Sequence, residues 1–124
     1  MNRIVLALLM VVLSLSAFEL KTYESALAQQ KKTNKLIMIE VVREGCHYCE
    51  DMDRDVFANK EMSEWIAKRF IPIKISLNKQ DLPLGLKVTF TPTFYFVDKN
   101  QKIVKKIPGA WNMEDFKSLT QKIQ

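Results

Sequence analysis

Seven consecutive residues, Leu36-Ile37-Met38-Ile39-Glu40-Val41-Val42, are apolar and mostly β-branched except for one carboxylate. Such a run suits a strand covered on both faces, and a strand covered on both faces needs packed layers above and below its sheet. The rest of the chain supplies those layers. Residues 18–34 have helical spacing around Tyr23, Ala26 and Leu27, then reach a polar turn. After Gly45 a helix carries Cys49, Met52 and Val56 on one face, and Asn59 can cap another that carries Met62, Trp65, Ile66 and Phe70. Ile71, Ile73 and Ile75 alternate with Pro72, Lys74 and Ser76, which reads as a strand with one polar side. A loop with a short helical turn follows over residues 78–86. Residues 94–97 and 102–107 flank the turn 98–101 as a hairpin, and Pro108 and Gly109 stop it. The last helix starts at Asn112, with Asp115 placed as in a capping box and Phe116, Leu119 and Ile123 on one face. Strands alternating with helices before a closing hairpin give an α/β sandwich, a mixed β-sheet flanked by helices.

The first residues predict export. Arg3 gives a positive start, residues 4–15 form an apolar run, and Ser14, Ser16 and Ala17 are small residues suited to cleavage. That run of 12 residues is short of the roughly 20 that span a bilayer. We therefore expect a signal peptide over residues 1–17 and one domain over residues 18–124, with an uncleaved N-terminal anchor as the alternative. With 48% apolar residues the domain can build a core without staples. The net charge is +5, and lysines such as Lys31, Lys35 and Lys105 are scattered among acids, so we expect a solvated surface and no nucleic-acid partner.

Cys46 and Cys49 are the chain's two cysteines, spaced Cys-x-x-Cys at the expected start of a helix. Domains that depend on disulfides are cysteine-dense, so one closely spaced pair favours redox use over a static bridge. A closed zinc site wants four ligands, whereas the chain has these two thiols and His47 as its one histidine. The run Asp51 to Asp55 hints at a calcium loop, yet Val56 and Met62 stand where glycine and glutamate are needed. At a helix N-terminus, free amides and the helix dipole would stabilise a Cys46 thiolate, which makes Cys46 the nucleophile. Cys49, one turn on and less exposed, would stay protonated until it resolves the mixed disulfide. Arg43 and a charged His47 would favour the thiolate further. Glu44, Glu50, Asp51 and Asp53 oppose them, and that balance leans toward a potential near −270 mV rather than −120 mV. Glu40 interrupts the apolar run six residues before Cys46, where burial costs several kcal/mol unless the acid is neutral or paired. The alternative is a carboxylate reaching solvent at the strand end.

Four features in order, Glu40, Cys46-His47-Tyr48-Cys49, Thr91-Pro92-Thr93 and Pro108-Gly109-Ala110, resemble the thioredoxin family from residue 36 to the C-terminus. The segment from Cys49 to Phe57, followed by Asn59 and Trp65, is similar to exported thioredoxin-like proteins of the SoxW type and to the C-terminal domain of DsbD. The resemblance implies a thioredoxin-like three-layer sandwich. It implies Glu40 as proton acceptor for Cys49, and a cis Thr91-Pro92 bond whose loop binds an extended substrate chain through the Thr91 backbone. His47 and Tyr48, between the cysteines, join Thr91 and Pro92 as expected substrate contacts. No cofactor is implied, because the cysteine pair holds the two electrons. The expected protein is a periplasmic monomer that reduces disulfide-containing exported proteins and is recharged by a membrane electron donor of the DsbD type. An oxidase or isomerase of the same fold, or a non-catalytic metal-handling or binding protein, are the alternatives. Departures are Gly45 before the first cysteine, His47-Tyr48 in place of Gly-Pro, and Phe90 where the family commonly has glycine.

Overall fold

The computed structural model describes residues 22–123, so the signal peptide expected over residues 1–17 lies outside the described residues. The elements run α1 (Tyr23–Gln30), β1 (Leu36–Val42), α2 (His47–Met52), α3 (Lys60–Arg69), β2 (Phe70–Ser76), β3 (Thr93–Val97), β4 (Ile103–Pro108) and α4 (Met113–Thr120). The sheet order is β2-β1-β3-β4. β1 runs parallel to β2 and antiparallel to β3, and β3 pairs antiparallel with β4. It is the mixed sheet expected. Among the described residues no helix is long and apolar enough to cross a membrane.

Alternation along β1 sends successive side chains to opposite faces of the sheet. Leu36 and Met38 join Phe94, Phe96 and Ile107 in a core under Met52, Val56, Met62, Ile66 and Phe116. Ile37, Ile39 and Val41 face the other way, with Ile71, Ile73, Ile75, Tyr95 and Val97, against Ala26 of α1 and Leu82, Leu86 and Val88. The sheet is therefore the middle of three layers, and Glu40 shares the face of Leu36 and Met38, the side covered by α2.

Three boundaries differ from the sequence reading. α1 begins at Tyr23 because Thr22 caps it, accepting from the Ser25 amide at 3.1 Å. It ends at Gln30, whose buried carboxamide donates to the Lys35 and Val97 carbonyls at 3.1 and 3.0 Å and so ties the helix end to the sheet. Phe70, whose spacing fits the α3 helix, instead opens β2: its backbone is extended (φ −132°, ψ 166°), it pairs in register with Leu36, and its ring packs 5.0 Å from that of Phe96. Finally, α2 does not continue as α-helix to Val56. It passes into a π-helical turn over Asp53–Phe57, which still buries Met52, Val56 and Phe57. The caps expected at Asn59 and Asn112 are present, accepting from the Met62 and Asp115 amides at 3.0 and 2.8 Å.

Candidate active site

Gly45 has φ +68°, a left-handed conformation that a side chain would strain, and it turns the chain from β1 into α2. Cys46 is the N-cap of α2, and its Sγ accepts a hydrogen bond from the Cys49 amide at 3.1 Å. The two cysteines are joined by a disulfide. Cys49 is the less exposed of the two, as expected, though by little, at 5% against 7% for Cys46. Thr91 accounts for this by covering Cys46: its hydroxyl donates to the Cys46 sulfur at 3.2 Å, and its carbonyl oxygen lies 3.4 Å from the same atom.

The Thr91-Pro92 peptide bond is cis. Hydrogen bonds hold its loop at both ends, the Thr93 hydroxyl donating to the Phe90 carbonyl at 2.7 Å and the Gly109 amide to the Pro92 carbonyl at 2.8 Å. Beyond Gly109, the Trp111 amide donates to Met52 Sδ at 3.1 Å, which fastens that loop to α2. Three segments distant in sequence thus meet around the disulfide. Tyr48, Phe90 and half-exposed Trp111, one from each, leave aromatic surface open to solvent. His47 is also exposed, with Nε2 3.6 Å from the Asp51 carboxylate.

Glu40 does not reach solvent: it is 2% exposed, and its Oε1 has no hydrogen-bond partner among the described residues. Its register partner on β2 is Lys74, whose Nζ stands 3.9 Å from Oε2, beyond hydrogen-bond length. Lys74 instead contacts Asp53 at 2.7 Å. Burial pushes the Glu40 carboxyl up to about 8; the Lys74 charge opposes this and the Asp53 charge adds to it.

Two of the four acids expected to oppose the thiolate are paired. Asp53 is engaged by Lys74, and Asp51 by Arg54 at 3.0 Å. Glu44 and Glu50 make no ion pair among the described residues and remain to oppose a Cys46 thiolate. Lys74 and the Thr91 hydroxyl escaped sequence reasoning. The first joins the site only through the β1–β2 register, and the second only through the fold of the Thr91-Pro92 loop over Cys46. Among the described residues no three His, Cys, Asp or Glu side chains are grouped to hold a metal.

A family profile described as a thioredoxin-like domain matches residues 23–124. The chain belongs to this family. Among curated proteins, anterior gradient protein 3 of Mus musculus is 27% identical over 92 residues, covering 74% of this chain and 56% of that protein. The chain thus spans about half the length of the curated relatives it matches. Among solved structures, the DsbH oxidoreductase superposes with a TM-score of 0.70 at 17% identity, covering 86% of this chain and 87% of its own. The reduced C-terminal domain of DsbD from Neisseria meningitidis gives 0.62 at 16% identity, with 82% and 93% covered. A thioredoxin-like fold that carries a Cys-x-x-Cys disulfide supports thiol–disulfide oxidoreductase chemistry.

Proposed function

We propose that the protein is an exported, periplasmic thiol–disulfide oxidoreductase that reduces disulfides in other exported proteins through the Cys46-Cys49 couple. The observation that carries this reading is the placement of that couple at a helix N-terminus, under the cis Thr91-Pro92 loop and on the sheet face that holds buried Glu40. In the reduced protein the Cys46 thiolate attacks one sulfur of a substrate disulfide and releases the other as a thiolate, leaving a mixed disulfide. Glu40 takes the Cys49 proton. The Cys49 thiolate then attacks Cys46 Sγ, the substrate's second sulfur leaves with the electron pair, and the Cys46-Cys49 disulfide forms. An acid with a value near 8 is close to a free thiol's 8.5, so proton transfer between them is nearly balanced.

Thr91 and Pro92 present backbone to the substrate chain, and exposed His47 and Tyr48 contact it from the α2 side. A membrane electron donor of the DsbD type returns two electrons; the protein acts as a monomer without a bound cofactor. The N-terminal sequence of residues 1–17 supports export. Glu44 and Glu50, without an ion pair among the described residues, support the reducing direction, because they disfavour the Cys46 thiolate. One observation favours an oxidase instead: the Thr91 hydroxyl and Cys49 amide both donate to Cys46 Sγ, and donors stabilise a thiolate.

Insulin-disulfide reduction with dithiothreitol tests the reading. The wild type should turn over, Cys46→Ser should not, and Cys49→Ser should stop at a mixed disulfide. A wild type without turnover overturns it.

A further inference from the structure

Glu40 and Lys74 are opposed in register on adjacent strands, yet Lys74 sits closer to another carboxylate and reaches Glu40 only as a long ion pair. Lys74 Nζ is 2.7 Å from Asp53 Oδ1 and 3.9 Å from Glu40 Oε2, and Glu40 Oε1 has no hydrogen-bond partner among the described residues. Asp53 reaches Lys74 from the first residue of the π-helical turn. We propose that Asp53 is a positioning residue, which draws Lys74 off Glu40 and so keeps the buried carboxyl available to hold and exchange a proton.

The physical alternatives differ clearly. With Lys74 seated on it, Glu40 would be a fixed carboxylate, stabilised as the anion and a poor base for a thiol. With Lys74 held by Asp53, burial dominates and the acid form is favoured. The charged groups acting on Glu40 are Lys74 from β2 and Asp53 from the turn after α2, while its register partner on β3 is Phe94. Both effects of Asp53 have the same sign, since its own negative charge also opposes ionisation of Glu40. Asp53 is about half exposed and Lys74 about a quarter, so the pair links a buried acid to solvent. Lys74 also lines an open groove of about 360 Å³ with Val42, Arg43, Glu44 and Ser76.

The inference deepens the proton-acceptor reading of Glu40 and depends on it for its consequence in turnover, though not for the titration that tests it. Carbon-detected NMR of the Glu40 carboxyl in the oxidised protein would be followed against pH in wild type, Asp53→Asn, Lys74→Met and the double variant. In Asp53→Asn the midpoint should fall by about one pH unit as Lys74 turns to Glu40, the size expected for an opposite charge brought close. Lys74→Met should keep the midpoint at or above that of wild type. Adding Asp53→Asn to Lys74→Met should then lower it by less than half as much as in the wild-type background. An unmoved midpoint in Asp53→Asn overturns the proposal. An equal fall in both backgrounds also overturns it, by showing that Asp53 acts through its own field and not by placing Lys74. If the titrations follow expectation while Glu40→Gln resolves mixed disulfides at the wild-type rate, the proton-acceptor role fails and the positioning of Lys74 stands.

Discussion

Replacing Glu40 with glutamine should change how stability depends on pH. In the folded protein burial pushes this carboxyl from an ordinary 4.5 up to about 8. Between those values the unfolded chain gives up the proton and the folded chain keeps it, so the unfolded state binds fewer protons and stability falls as pH rises through that window. The contribution is fully present below about pH 4.5 and lost once pH passes about 8. At about 1.36 kcal/mol per pH unit, the gap amounts to roughly 5 kcal/mol across the window. Glutamine keeps the shape without the titration, so the difference between the two proteins isolates the Glu40 contribution from every other group. Urea unfolding of both, with the disulfide intact, at about pH 5, 7 and 9 would measure it. Wild-type stability should drop relative to Glu40→Gln by several kcal/mol between the ends of that range, with unchanged m-values. Parallel pH profiles would refute the reasoning, since they would mean that Glu40 ionises in the folded protein as readily as in water.

Thr91→Val removes the hydroxyl that donates to Cys46 Sγ at 3.2 Å while keeping the side-chain shape. In the reduced protein the thiolate should lose a charge-assisted hydrogen bond, and the midpoint of the pH profile for Cys46 alkylation by iodoacetamide should rise by about one unit; an unchanged midpoint would show that the hydroxyl does not serve the reduced sulfur. Phe116 is fully buried, with ring centroids 5.0 Å from Phe94 and 5.9 Å from Phe57. Phe116→Ala should cost about 3–5 kcal/mol in urea unfolding, and a loss under about 1 kcal/mol would contradict its place in the core.

Much of the fold could be read from local pattern because strands and helices here carry clear periods. The run from Leu36 to Val42 is buried almost throughout, as a central strand of a sandwich must be, and the caps at Asn59 and Asn112 sit where their side chains can accept the first free amides. What local pattern could not supply were the effects of register and of competing contacts. Phe70 satisfies helical spacing and strand pairing equally well, and its contact with Phe96 decides for the strand. The π-helical turn at Asp53 leaves the apolar spacing of Met52 and Val56 intact, so nothing in that spacing reveals it. At the site, Cys46, Cys49 and the Thr91-Pro92 loop were marked by motif. Local pattern does not reveal that Lys74 and Arg54 engage two of the four acids near the cysteines. Lys74 lies 25 positions after Cys49 and becomes part of the site only through the pairing of β1 with β2.

The direction of electron flow is the central claim, and the reduction potential of the Cys46-Cys49 couple tests it most directly. Equilibration with glutathione redox buffers, read by trapping free thiols, should place the couple near thioredoxin, at about −270 mV. A value above about −150 mV, in the region of DsbA, would contradict the reductase reading and assign the protein to disulfide formation instead.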